Sequence, residues 1–249
     1  MIPLLLLAAA APSTPRVSPP SARALITANA AHASVDCADG TTPDALVCEA
    51  LSAQKSGDNT MAAQDFEKAA EASSDNDSKT ARMWAAAGNL WIAAGQPGKA
   101  AVDLDKALAL PGLQAEQRGE ALLDRARAAE AQNDLATARA KLNEAAPSIS
   151  QDPFYWYFSA SLAMREGDRI GARNAIDHAL KLAPSDPTIL FEAGHVADYT
   201  GDDDRARAYW EQASAGDPHG PIGRAAEKAI EMLGVTPTLK TEATPAKPH

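Results

Sequence analysis

The 249-residue sequence lacks an excess of basic residues. Its 23 Lys and Arg are outnumbered by 33 Asp and Glu, which gives a formal net charge of −10. Because binding to a nucleic-acid backbone requires clustered basic side chains, we expect no nucleic-acid partner. The sequence also has no apolar run near the roughly 20 residues that cross a bilayer, so we expect no transmembrane segment. Aromatic residues make up only 5%, whereas alanine is abundant, and this composition favours helices over sheets.

Recognisable catalytic and metal-binding motifs are also missing. The sequence contains no phosphate-binding loop, no G-x-S-x-G, no H-E-x-x-H and no G-x-G-x-x-G. The five histidines have no partner at metal-ligand spacing, and His178 and His195 are interpreted as packed or solvated helix residues. The run Asp202–Asp204 lacks the spaced oxygens and the glycine of a calcium loop, so it is interpreted as the start of a helix. We predict a protein that is not an enzyme and that uses no cofactor and no metal.

Only two cysteines are present, and they follow an apolar N-terminus. The stretch Met1–Ala11 is short, apolar and ends in small residues, which is typical of a secretory signal cleaved near its end. It lacks a basic residue, so a cytosolic protein is the alternative to a periplasmic one. In an oxidising compartment Cys37 and Cys48 are expected to form a disulfide; two reduced thiols are the alternative. Their spacing fits no zinc or redox motif.

The most informative feature is an internal repeat of 34 or 38 residues. It is marked by a turn residue between two helical patterns, by a small residue seven positions before it and by alanines five and twelve positions after it. A large apolar residue follows the turn by nine positions. The turn residues are Gly57, Gly95, Asn133, Gly167 and Gly201, and the large residues are Phe66, Leu104, Leu142, Ile176 and Trp210. Small residues allow two antiparallel helices to approach closely, the large residue fills the seam, and the turn tolerates a positive φ.

This pattern resembles the tetratricopeptide repeat. The best match is Met83–Pro111, in which Trp84, Gly88, Trp91, Ala100 and Ala107 occupy signature positions. The first, third and fifth repeats depart from the signature because they have leucine in place of tryptophan. The first two repeats carry about four extra residues, expected around 73–80 and 111–118.

The resemblance implies an all-α fold, a right-handed α-solenoid of about five helix pairs. A further amphipathic helix at Pro221–Leu233 is expected to cap its end. The expected organisation is a signal peptide at 1–11, a flexible lead at 12–42, the solenoid with its cap at 43–234 and a disordered tail at 235–249.

The resemblance also implies a concave groove, lined by the first helix of each pair, that binds a protein or peptide. Its residues, carried over by position, are Arg82, Asn89, Arg127, Phe154, Tyr157, Ser161, Arg165, Phe191, His195 and Tyr199. Glu120, Glu130 and Asp198 fall on the same face and give it mixed charge. Arg127 and Arg165 are expected to supply polar contacts, and Phe154, Tyr157 and Tyr199 are expected to supply apolar area.

The run Phe154–Phe158 contains five of the chain's twelve aromatic residues. On a helix five consecutive residues point to all sides, so they cannot all fill one seam. They either face a partner or are covered by the neighbouring repeat. Together these features predict a non-catalytic scaffold of the bacterial cell envelope. The alternative is a carbohydrate-binding or regulatory subunit of a cell-wall enzyme, because the run lies beside Asp152.

Overall fold

The computed structural model describes residues 42–73 and 78–233, and these residues form eleven helices and no strand. Ten of the helices make five antiparallel pairs, and the last helix packs on the end of the fifth pair. The helices are α1 Pro43–Lys55, α2 Asn59–Glu71, α3 Ser78–Ala93, α4 Pro97–Ala109, α5 Ala115–Ala131, α6 Leu135–Ile149, α7 Pro153–Glu166, α8 Arg169–Leu182, α9 Pro187–Tyr199, α10 Asp203–Gly216 and α11 Pro221–Leu233. The predicted all-α solenoid of five pairs with a capping helix is confirmed.

The turn within each pair is set by one residue with a positive φ. The angle is 85° at Gly57, 73° at Gly95, 63° at Asn133, 81° at Gly167 and 84° at Gly201. Glycine reaches this region without steric cost, and asparagine tolerates it better than most other residues. The chain therefore reverses direction at the five positions that the repeat marked.

The seam within each pair is filled as the repeat predicts. The ten repeat alanines on the second helices are fully buried, and the five large residues are at most 3% exposed. A Cβ at Gly88 would lie 2.5 Å from Cγ of Leu104, so the helices α3 and α4 are too close there for any larger side chain. Small residues on one helix therefore set the distance at which the large residue of the other helix fits.

The pairs stack because no pair can bury its own apolar surface. Each second helix contacts the first helix of the next pair, and the first helices α3, α5, α7 and α9 also contact one another in succession. The first helices thus form the inner face of the stack. The helix α11 covers the open end of the fifth pair, where Ile222 and Ala226 join the core around Trp210.

Several sequence predictions concern residues outside the described part of the chain. They are the signal at 1–11, nearly all of the lead at 12–42 and the tail at 235–249. Cys37 also lies outside it, so the pairing of Cys37 with Cys48 stays a prediction; Cys48 itself is half-buried on α1.

Candidate functional site

The inner face of the first helices is the candidate site, and the predicted groove residues lie on those helices. Arg82 and Asn89 belong to α3, Arg127 to α5, Phe154, Tyr157, Ser161 and Arg165 to α7, and Phe191, His195 and Tyr199 to α9. Their exposure differs: Arg165 is exposed, Asn89 and Phe191 are buried, and the other residues are half-buried. Asn89 and Phe191 therefore present little surface to a partner.

A buried polar contact links α3 to α5 on this face. The Nδ2 atom of Asn89 donates to Oδ2 of Asp124 over 2.7 Å, and Nη1 of Arg127 donates to Oδ1 of the same carboxylate over 2.8 Å. Asp124 is 3% exposed, so both of its oxygens need partners and both find one. Asp124 therefore holds the Arg127 side chain in place. The sequence predicted Arg127 as a groove residue but did not predict the role of Asp124.

Arg165 joins the end of α7 to the end of α5. Its guanidinium donates to the backbone oxygen of Glu130 over 2.8 Å and to Oδ1 of Asn133 over 2.8 Å, and it forms an ion pair with the Glu130 carboxylate. These acceptors lie at the turn of the third pair, where carbonyl groups at the helix end lack intrahelical partners. Arg165 therefore holds the third pair to the fourth as well as facing the groove.

The aromatic run of α7 divides between core and groove. Tyr155 and Phe158 are buried against the third pair, at 6% and 8% exposure. Trp156 stacks on His178 at 4.4 Å between ring centroids and donates from Nε1 to the oxygen of Ser150 over 2.8 Å. Neighbouring helices therefore cover part of the run, and contact of the rest with a partner stays a prediction.

Phe154 and Tyr157 form the aromatic part of the inner face. They are half-buried and meet edge to face at 6.2 Å between centroids. Asp152 precedes them as the N-cap of α7 and accepts a hydrogen bond from the backbone of Phe154 over 2.9 Å. Its carboxylate is thus used within the fold, which weakens the case for a sugar platform of aromatic rings and a free acid.

At the C-terminal end of the groove, His195 is packed between Phe191 and Trp210. Burial lowers the pKa of His195 to about 4, so the imidazole is neutral at pH 7. This bears out the interpretation of His195 as a packed residue. Nearby, the Arg169 guanidinium lies 5.3 Å from the ring centroid of the half-buried Tyr199.

Two buried carboxyl groups of the inner face have no cationic partner among the described residues. Glu192 of α9 is 1% exposed, and neither of its oxygens is hydrogen-bonded within that part of the chain. Burial, followed by the charge of Glu130, raises its pKa to about 7, while the nearby Ser161 hydroxyl opposes the shift. Burial and the charge of Asp124 likewise raise the pKa of Glu120 to about 7.

Sequence reasoning placed Glu120 on this face but missed Glu192. A signal was available, because Glu192 is a carboxylate within the otherwise largely apolar run Ile189–Ala197 of α9. A charged residue in such a run is buried unless the helix turns it outward. Asp124 gave no comparable signal, since its partner Asn89 lies one repeat away.

The described residues contain no group of three or more His, Cys, Asp and Glu side chains placed to hold a metal ion. Over the same residues, none of the helices combines the length and apolarity needed to cross a membrane. A pocket between α8, α9 and α10 has a volume of about 20 Å³, which is room for about one water molecule. It is too small for an organic substrate.

Comparison with known proteins connects this geometry to a family. The model of the tetratricopeptide repeat matches residues 159–221, which run from α7 to the start of α11. No curated protein shows significant similarity to the chain.

Solved structures with the same fold match nearly the whole described chain. PilW, a widely conserved type IV pilus biogenesis factor, is 20% identical with a TM-score of 0.63, covering 76% of this chain and 84% of its own. The pilF protein of Pseudomonas aeruginosa is 18% identical with a TM-score of 0.62, covering 84% and 97%. YrrB, a TPR protein with an unusual peptide-binding site, is 17% identical with a TM-score of 0.51, covering 83% and 99%.

Proposed function

Because the chain is a tetratricopeptide-repeat protein, we propose that it is a non-catalytic scaffold that binds a protein or peptide along the inner face of its first helices. Proteins built of this repeat serve as protein-interaction modules, and the extended concave surface of a solenoid suits an extended ligand. Because the pairs are rigidly stacked, the surface is already ordered before the ligand binds, and binding does not lose conformational entropy in ordering it.

The observation that carries the proposal is the composition of the inner face between α5 and α9. It combines half-buried aromatic rings, Phe154, Tyr157 and Tyr199, with fixed polar groups at Arg127 and Arg165. Aromatic anchors with arginine beside them are typical of protein interfaces. The aromatic rings offer apolar area, and the held guanidinium groups offer hydrogen-bond donors in defined positions.

We place this activity in the bacterial cell envelope. The proposal rests on the apolar stretch Met1–Ala11 of the sequence, which is typical of an exported protein. The similar folds of PilW and pilF are compatible with it, although at 20% and 18% identity they support the fold and not the pathway.

The test is affinity capture from a cell-envelope extract with two matched double variants. The groove variant Phe154→Ala/Tyr199→Ala removes two half-buried rings of the inner face. The control variant Val102→Ala/Ile170→Ala removes two apolar side chains from the second helices α4 and α8, where they are 55% and 76% exposed. Circular dichroism checks that both variants keep the helical content of the wild type.

A partner retained by the control and lost by the groove variant supports the proposal. A partner lost by the control and retained by the groove variant assigns binding to the outer face and overturns the groove. Absence of any captured protein from a folded wild type contradicts the scaffold function itself.

A further inference from the structure

The inner face between α5 and α9 has more carboxyl groups than basic groups. Two arginines lie on this section, and each is already paired, Arg127 with Asp124 and Arg165 with Glu130. After this pairing, three carboxyl groups stay without a cation among the described residues. They are Glu120, Glu192 and Asp198.

Glu192 is an independent indication of a ligand at this place. Its carboxyl group is 1% exposed, and neither oxygen has a hydrogen-bond partner of normal geometry among the described residues, although the Ser161 hydroxyl lies nearby. Such a group is costly, because a buried carboxyl that lacks partners loses the hydration it has in the unfolded chain. The polar groups that interact electrostatically with it include Ser161 and Tyr157 of α7 and Glu130 of α5. Its unused acceptors therefore lie directly beneath the proposed groove.

A cation at the surface of this section would interact with several groups at once. Charges separated by a low-dielectric medium attract one another more strongly than in water, so a buried Glu192 acts on a cation held above it. The half-buried rings of Phe154 and Tyr157 lie on the same inner face, and aromatic rings attract cations. A basic side chain bound there would thus interact with the buried carboxyl group and with aromatic surface.

We propose that the ligand of the groove is a peptide segment rich in lysine or arginine, whose basic side chains bind over Glu192 and at Glu120. This inference rests on the proposed groove function and adds the chemical class of the partner. The overall charge of −10 steers basic segments toward the whole molecule, so the test must separate the groove from the rest of the surface.

The probe is a short fluorescein-labelled lysine–alanine peptide, with the same peptide acetylated at every lysine as the uncharged comparison. Fluorescence anisotropy measures its binding to the full chain, to Glu120→Gln/Glu192→Gln and to the control Glu211→Gln/Glu231→Gln. Both double variants replace two carboxyl groups, and binding is measured at pH 8, where a group with a pKa of about 7 is mostly ionised. Glu211 and Glu231 are exposed on α10 and α11. Glutamine keeps the shape of the side chain and removes a buried charge, so both variants are expected to fold.

We expect the groove variant to weaken binding about tenfold, the control to weaken it less than about twofold, and the acetylated peptide not to bind. Equal losses in the two variants would show general attraction to an acidic protein and overturn the inference. Equal binding of the acetylated peptide would overturn it as well.

The two experiments fail separately. If the partner captured from the envelope extract depends on Phe154 and Tyr199 but binds equally to Glu120→Gln/Glu192→Gln, the groove function stands and the basic ligand is wrong. If neither pair of groove substitutions affects any binding, the groove function is wrong as well. A second copy of the chain as the occupant would appear as a dimer whose formation requires Glu192, and it would also overturn a basic peptide ligand.

Discussion

At the scale of single residues, an aspartate N-cap begins the second helix of every pair except the second pair. An aspartate directly after the turn caps the helix in four pairs, where Asp58, Asp134, Asp168 and Asp202 each accept a hydrogen bond from the backbone three residues later. In the second pair this position is Gln96, whose side chain makes no capping bond. Asparagine, aspartate, serine and threonine are strongly preferred N-caps because their short side chains reach the free N–H groups.

Replacement of Gln96 by aspartate should therefore stabilise the protein. The new carboxylate would accept from the backbone of Lys99, as its counterparts do in the other pairs, and a side-chain cap contributes about 1 kcal/mol. Urea denaturation followed by circular dichroism measures the change in free energy of unfolding. Gln96→Ala is the control and should change it by less than about 0.5 kcal/mol; an equal effect of alanine and aspartate would contradict the capping argument.

A second residue-scale prediction concerns pH. Burial raises the pKa of Glu192 from its ordinary value of 4.5 to about 7. Between these two values the folded protein holds a proton that the unfolded chain releases, so stability falls as pH rises through this window and levels off above it. The full effect of this one group is roughly 3 kcal/mol.

Glu192→Gln should abolish this part of the pH dependence, because glutamine does not titrate. We expect the variant to be more stable than the wild type at pH 8 and to differ little from it at pH 5. Thermal unfolding across that range measures it, with Glu211→Gln as the control for removal of an exposed charge. A variant that tracks the wild type at every pH would show that Glu192 is not protonated in the fold.

At the scale of helix pairs, the small residue seven positions before the turn packs toward the large residue of the second helix. In the fifth pair Gly194 faces Trp210, whereas in the third pair Ala126 and Leu142 are buried in the same apolar cluster. A Cβ at Gly194 would overlap the Trp210 indole, which donates from Nε1 to the backbone oxygen of Phe191 over 3.1 Å. The glycine is therefore required by the tryptophan and not by the turn.

Gly194→Ala should destabilise the protein by about 1–3 kcal/mol, because it overpacks a buried seam. In the background of Trp210→Leu the same substitution should cost much less, since alanine with leucine is the combination that already fits the third pair. A double-mutant cycle from urea denaturation measures the coupling. Additive costs would show that the two residues do not share the seam.

The sequence predicts contacts within a helix pair better than contacts between pairs. The turns and seams lie within one helix pair and recur five times, so their spacing alone located Gly57 to Gly201 and the residues that face them. The polar contacts of the inner face lie between pairs. Asn89 meets Asp124, and Arg165 meets Asn133, only after the pairs have stacked with a particular rotation. That rotation depends on packing between helices distant in sequence, which a repeat pattern does not encode.

At the scale of the whole molecule, the apolar core is a series of clusters and not one centre. One cluster joins the first two pairs, another the third pair with α7, another the fourth pair with α9, and the last joins the fifth pair with α11. In such a stack each unit is stabilised mainly by its neighbours, so damage at one end is expected to stay local. The capping helix is the clearest place to test this, because among the described helices it packs mainly on α9 and α10, at one end of the stack.

Ile222→Ala tests this local behaviour. The side chain is 5% exposed against the fifth pair, so its loss should cost about 2–4 kcal/mol in the stability of α9–α11. Hydrogen exchange measured by mass spectrometry should show faster exchange in those three helices and unchanged protection in α3 and α4. Lys228→Ala, at an exposed position of α11, is the control and should leave exchange unaltered. Uniformly faster exchange along the whole chain would instead mean that the five pairs unfold as one cooperative unit.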